Sequence, residues 1–319
     1  MVETKKFIVS HAPFWHSGKN VTQRSYHMMI AALPAVIAGF VYYGMPAVAV
    51  ICLSVASAMI WEYAFNRVAK GPVTIGDGNA ALIGLLLGML LPATAPWWLV
   101  IIGTFIAIVV GKQIYGGIGT NPFHPALVAM AMLILSWKDY LDFDQAYLHY
   151  DFGFVAVYPL GALKHFGTSA IEPFGAIDLL LGRQIGGIGA VFGFGLIAGG
   201  VYLIYKGFIR WEISISFLAG IFVTSLIFYI ADSNRFAGPL FHLFSGYTLL
   251  GAFFLATEDS SSPVHFVPML IYGAAGGLLT VLIRSIGKFP DGVVFAILII
   301  NLINPLVDKI RPKAIGKVI

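Results

Sequence analysis

Apolar residues run along this chain in blocks separated by short polar breaks, and the blocks come in two lengths. A helix needs about 20 apolar residues to cross a bilayer. Runs at 26–43, 45–65, 97–114, 122–137, 186–205, 211–230, 263–286 and 291–307 are read as spans or near-spans. Two further runs, 79–91 and 241–257, are short or interrupted and end in polar patches. These two resemble each other. Leu86, Leu87, Gly88, Ala93 and Thr94 align without gaps on Leu249, Leu250, Gly251, Ala256 and Thr257. Short broken segments at matching places of two halves point to a membrane site built on an internal repeat.

The pattern predicts an all-α integral membrane protein with roughly ten transmembrane segments. Five lie on each side of a mixed loop at 138–184. An odd number per half turns the second half upside down, which gives two inverted five-helix repeats with broken helices 3 and 8 meeting near the midplane. The expected divisions are a cytoplasmic N-terminal segment 1–25, a first repeat 26–137, an outer (periplasmic) loop 138–185, a second repeat 186–308 and a basic cytoplasmic tail 309–319.

Composition agrees. Hydrophobic residues make up 59% and charged residues 11%, against about 25% charged in soluble domains. With the N-terminus inside, Lys5, Lys6, Lys19, Arg24, Arg67, Lys70, Lys112, Lys206, Arg210, Lys309, Arg311, Lys313 and Lys317 fall on the inner side. Lys138, Lys164, Arg183, Arg235, Arg284 and Lys288 fall outside. This bias predicts a multi-pass protein of a bacterial inner membrane with both termini cytoplasmic. Arg284 and Lys288 sit against it. The net charge of +4 is spread over loops and termini, which excludes a nucleic-acid partner and leaves lipid. The lone Cys52 cannot hold an iron–sulfur cluster in this chain alone. Met1 to Tyr26 has no apolar core of a cleavable leader.

Three stretches could carry chemistry. The first is Gly116-Gly117-Ile118-Gly119-Thr120-Asn121-Pro122-Phe123-His124-Pro125. Asn121 reads as a helix N-cap with Pro122 at the first helical position. The small-residue loop and His124 suit contact with a planar polar ring or an anion. The second is Thr257-Glu258-Asp259-Ser260-Ser261-Ser262-Pro263. Ser262-Pro263 reads as the cap of the next helix, and Glu258 and Asp259 as ion-path candidates with Asp77 as their rough counterpart. The third is the outer-loop run around Thr168, Ser169, Ala170 and Ile171, a surface loop or a docking or attachment site. Glu62, Glu212 and Arg284 lie at predicted segment ends, where snorkelling explains them. No catalytic residue set, metal-ligand spacing, phosphate loop or dinucleotide fingerprint is present.

Taken together, Ser10-His11-Ala12-Pro13-Phe14, Leu91-Pro92 with Pro96-Trp97-Trp98, the 119–125 loop, Phe254-Leu255-Ala256-Thr257-Glu258-Asp259 and Ile303-Asn304-Pro305-Leu306-Val307-Asp308 give the chain a family likeness. It resembles the family of the D subunit of Rnf electron-transport complexes and, more distantly, the B subunit of sodium-pumping NADH:quinone oxidoreductases. The resemblance implies a membrane subunit of a translocase that passes electrons between ferredoxin and NAD through flavins and moves Na+ or H+. Its partners would be flavin and iron–sulfur subunits. It also implies FMN esterified to an outer-loop threonine of a Ser/Thr-Gly-Ala-Thr motif. Here the acceptor position holds Ile171, which has no oxygen to esterify, and Thr168 is the threonine nearby; a non-covalent flavin is the other option. A riboflavin contact is implied at Asn121, with His124 where the relatives have a second asparagine. A stand-alone channel or carrier for a small polar solute is the alternative function, since inverted repeats with broken helices suit transporters too.

Overall fold

The computed structural model describes residues 20–310. Among them every regular element is helical. The helices used below are α1 Val21–Tyr43, α2 Met45–Val68, α3 Asn79–Leu90, α4 Trp97–Phe105, α5 Pro125–Ser136, α6 Gly193–Lys206, α7 Trp211–Ala231, α8 Pro239–Phe244, α9 Thr248–Leu250, α10 Phe266–Ser285 and α11 Val293–Val307. Five stretches are long and apolar enough to cross a membrane: α1, α2, α4 with its continuation to Tyr115, α7 and α10. Shorter apolar helices α3, α5, α6 and α11 stand among them, as in a multi-pass membrane protein.

Local chemistry sets the boundaries. Asn20 opens α1 by accepting from the Gln23 amide at 2.7 Å. Gly44, at φ +68°, closes α1 and leads directly into α2. Both α4 and α9 run on into a widened π turn, at Ile106–Val110 and Gly251–Leu255. The eighth segment is therefore broken twice, between α8 and α9 and again at the π turn.

The elements alternate between two ends of the bundle. At the start end of α1, Gly78 lies beside Ser25 and Tyr26, Lys112 meets Glu62, Arg24 reaches the carbonyls of Phe208 and Thr257, and Asn304 reaches that of Ser261. At the far end, Tyr43 bonds Gly186, Trp98 packs on Trp137 with ring centroids 5.6 Å apart, Lys164 reaches Phe289 and Thr168 reaches Asn234.

Small residues let the helices approach closely. A Cβ on Gly277 of α10 would lie 2.6 Å from the Ile221 backbone nitrogen of α7. A Cβ on Gly199 of α6 would strike the Ala31 carbonyl of α1. The centre is α3, buried almost all round from Leu82 to Leu90; a helix apolar on every side belongs inside a bundle.

The two broken segments do not meet tip to tip as the sequence pattern suggests. They run antiparallel. Tyr247 donates its hydroxyl to the Leu90 carbonyl at 2.7 Å at the far end, while Leu82, Ile83 and Phe254 line one cavity at the start end. Residues 92 and 257 lie at opposite ends. A carbonyl at the end of each segment is satisfied by a side contact: Leu91 accepts from the Ile188 amide at 3.1 Å, and Thr257 from the Arg24 guanidinium at 2.8 Å.

Candidate functional site

The glycine-rich loop begins where α4 ends. Gly116, Gly117 and Gly119 hold positive φ of 109°, 100° and 87°, a region that favours glycine. The chain thereby turns back before Asn121. Asn121 is not the helix cap. The helix starts at Pro125, and His124 holds the cap position without a capping side-chain bond. Pro125 keeps the residue before it out of helical conformation, so helix cannot begin at Pro122. That frees the Asn121 amide. Its Nδ2 donates to the Phe123 carbonyl at 3.0 Å and to Glu258 Oε1 at 2.9 Å.

Glu258 is held from three directions. Ser260 donates to Oε1 at 2.8 Å and Ser261 to Oε2 at 2.5 Å, beside the Asn121 bond. The serine run is thus a cradle for a carboxylate. Ser262 does not cap α10, which starts three residues after Pro263 with His265 at its cap position. Asp259 points outward and pairs with Arg24 at 3.0 Å. Thr257, Glu258 and Asp259 therefore tie the start of α1 to the loop before α5.

These groups surround a cavity of about 320 Å³, near the low end of small-ligand sites. Leu82, Ile83, Leu86 and Phe254 form an apolar wall; Arg24, Asn79, Lys112, Asn121, His124 and Glu258 supply polar edges. His124 is 2% exposed, and its Nδ1 has no hydrogen-bond partner. The cavity thus combines an apolar wall with a few polar groups, one of them unsatisfied.

Asp77 lies at the same end but plays a local part. Its Oδ1 accepts from the Asn79 amide at 2.7 Å, at the start of α3. Burial pushes its carboxyl above the usual range; the Asn79 amide and Lys112 pull it partly back. Thr168 is far from all of these. At the far end its half-buried hydroxyl donates to the Asn234 carbonyl at 2.6 Å. So Asn121, His124, Glu258 and Asp259 form one site, Asp77 stands at its edge, and Thr168 belongs elsewhere. Among the described residues, no group of three His, Cys, Asp or Glu side chains is gathered to hold a metal.

The acids and the arginine expected to snorkel are instead buried. Glu62 is 0% exposed and bonded through both oxygens to Lys112. Arg284 is buried against Asp291 at 2.9 Å, and Glu212 is only 9% exposed. Hydropathy alone does not separate a charge at a span end from one folded inward.

The chain matches the NQR2, RnfD, RnfE family over residues 8–316. It belongs to that family. Among its relatives, the D subunit of the ion-translocating oxidoreductase complex of Cronobacter sakazakii is 34% identical over 97% of this chain and 99% of its own length. The D subunit of the Na(+)-translocating ferredoxin:NAD(+) oxidoreductase complex of Acetobacterium woodii is 34% identical over 96% and 94%. Its counterpart in the proton-translocating ferredoxin:NAD(+) oxidoreductase complex of Clostridium ljungdahlii is 34% identical over 95% and 94%. The loop at 116–125 and the segment 254–259 that surround the cavity both lie within the family match. Ser10 to Phe14 and the tail after Ile310 lie outside the described residues.

Proposed function

We propose that this chain is the D-type membrane subunit of a multi-subunit complex that couples electron transfer between ferredoxin and NAD to movement of Na+ or H+. Family membership over nearly the whole chain and relatives carrying those printed activities support this reading over a stand-alone carrier. Its partners are the other subunits of an Rnf-type complex.

In this reading the chain crosses the membrane ten times as two inverted repeats. Equivalent contacts in the two halves support it: α2 packs on α3 and α4 as α7 packs on α8 and α10, while α1 meets α6 and α5 meets α11. The start end faces the cytoplasm of a bacterial inner membrane. Arg284 no longer counts against that orientation, because a buried, paired guanidinium does not set topology.

The start-end cavity is the redox site. The observation that carries this is the Asn121–Glu258 bond, which joins the two halves beside the unsatisfied Nδ1 of His124. The residues fit a flavin ring bound without a covalent link: an apolar wall for its face, with Asn121 and His124 toward its polar rim. A bound flavin supplies chemistry that takes two electrons together and releases them singly. Asn121 would hold its rim, Glu258 would fix Asn121, and Leu82, Ile83, Leu86 and Phe254 would keep water from the ring face. Glu258 and Asp259, with Asp77 at the edge, remain the acids placed for a cation path at this end.

The Thr168 turn fits FMN less well. Its hydroxyl is already donated to Asn234, and Ile171 offers no oxygen. The test is flavin absorbance of the purified complex before and after acid precipitation. Asn121→Ala is expected to lower the released flavin and leave chain-bound colour unchanged. Thr168→Ala reads the ester directly: loss of chain-bound flavin would establish attachment there. Unchanged released flavin in Asn121→Ala would overturn the cavity assignment.

A further inference from the structure

Nine buried side-chain polar atoms lack a hydrogen-bond partner among the described residues, and five belong to one knot at the far end: Tyr158 Oη, Gln184 Oε1, His242 Nδ1, Ser245 Oγ and Arg284 Nε. The knot is built around Arg284 of α10. Its guanidinium donates to the His242 carbonyl at 2.8 Å, to Thr248 Oγ1 at 2.9 Å and to Asp291 Oδ1 at 2.9 Å. Asp291 in turn accepts from the Tyr247 amide at 2.7 Å. Gln184 donates to the Phe244 carbonyl at 2.8 Å, which brings the outer loop onto the break between α8 and α9. Gly246, in that break, is the close approach: a Cβ there would meet both Asp291 and Leu160, two residues from Tyr158.

We infer that this knot holds a cluster of ordered water and forms a proton-conducting station between Asp291 and the far-end loop. Buried polar groups in native proteins almost always have partners, so five unmatched atoms in one place call for a ligand. The mixture names it. Arg284 Nε–H can only donate and Gln184 Oε1 can only accept; Ser245, Tyr158 and His242 can serve on either side. An anion would leave the acceptor unmet, and a metal cation would face the guanidinium. Water donates and accepts, and buried waters make about three such bonds each. The Arg284 charge is already matched by Asp291, so the cluster needs no counter-ion. Burial holds the Tyr158 phenol well above its usual range, with Asp291 adding to the effect, so it stays a proton donor.

Place adds a role. Arg284 ends α10 as Lys112 follows α4, and Asp291 precedes α11 as Asn121 precedes α5. The far-end knot is thus the counterpart of the start-end cavity, at the opposite mouth of the bundle. This correspondence rests on the repeat proposed above; the unmatched atoms do not.

The test is hydroxyl-radical footprinting by X-ray radiolysis on the intact complex in native membranes, which labels buried side chains beside bound water. Tyr158 and His242 are expected to be labelled several-fold faster than Tyr272, a tyrosine that is also buried but whose hydroxyl is bonded to Asn301. Labelling as slow as at Tyr272 overturns the inference. In Tyr158→Phe the hydroxyl is gone while the packing ring remains. Labelling of His242 should fall and proton release at the far side should slow, with ferredoxin-to-NAD electron transfer in detergent unchanged. Wild-type labelling and proton release in that variant would overturn the station.

Discussion

Lys112 Nζ sits 3.0 and 2.9 Å from the two carboxylate oxygens of Glu62, with both side chains all but inaccessible. Thr74 donates to the same carboxylate at 2.5 Å, and Asn66 donates to Thr74. The pair locks the end of α4 to α2 directly beside the cavity. Taking two charges out of water is costly, so the pair adds little by itself, but removing one partner strands the other. Lys112→Met is therefore expected to destabilise the subunit by about 3–5 kcal/mol. The double variant Glu62→Gln with Lys112→Met should recover much of that loss. Thermal unfolding of the purified complex measures both; a single variant as stable as the parent would mean that Glu62 is not stranded by the loss of Lys112.

Glu258 makes a second prediction, and it separates charge from shape. Gln at this position has the same size but presents an NH2 where a serine or the Asn121 amide now donates. Hydrogen bonds to charged groups contribute about 1.5–3 kcal/mol, so Glu258→Gln should loosen the 257–262 loop and free Asn121. The expected result is lower flavin retention, with the complex still assembled. Flavin retention equal to that of the parent would mean that Asn121 does not depend on Glu258.

Much of this is legible in the chain. The blocks of apolar residues place the helices, because burying or solvating a backbone in lipid leaves helix as the local solution. The 86–94 and 249–257 match marks the two central segments. The loop at 116–125 and the acids at 258–259 do come together. What the pattern misses is pairing. Nothing local says that Arg24, two residues before Tyr26, reaches Asp259 and Thr257, or that Glu62 meets Lys112 fifty positions on. The cap expected at Asn121 fails for a local reason: two prolines compete, and the later one sets where helix can start. The antiparallel course of the broken segments follows from hydrogen-bond partners at each end, which periodicity does not encode.

Gly246 offers a backbone test. Its φ of +63° is one that side chains adopt with strain, and a Cβ would run into Asp291 and Leu160. Positions of this kind cost about 1–3 kcal/mol when forced, and here the displaced group is the partner of Arg284. Gly246→Ala should therefore destabilise more than Gly76→Ala, a glycine with open space around it. Protease resistance of the two variants in membranes is the comparison. Equal resistance would show that the far-end knot tolerates displacement of Asp291.

The pH dependence of stability carries the last prediction. Burial raises the folded pKa of Asp77 above its usual 3.8, with the Asn79 amide and Lys112 only partly opposing it. A raised acid pKa means that the folded chain binds the proton more tightly than the unfolded chain. Its contribution is therefore largest at low pH and is lost as pH climbs from the unfolded value through the folded one. Asp77→Asn removes that loss. The amide oxygen can still accept from Asn79, so the start of α3 keeps its bond. The variant should match the parent near about pH 4 and exceed it progressively toward about pH 7, where an ordinary carboxyl is fully ionised. Asp144, in the loop between α5 and α6, and Asp259 are raised by burial as well, so the parent's curve holds all three contributions and only the difference between the two proteins isolates Asp77. Melting temperatures of the two across that interval give the answer. A difference that stays constant with pH, or one that grows toward acid, would mean that Asp77 is ionised at no cost in the folded protein.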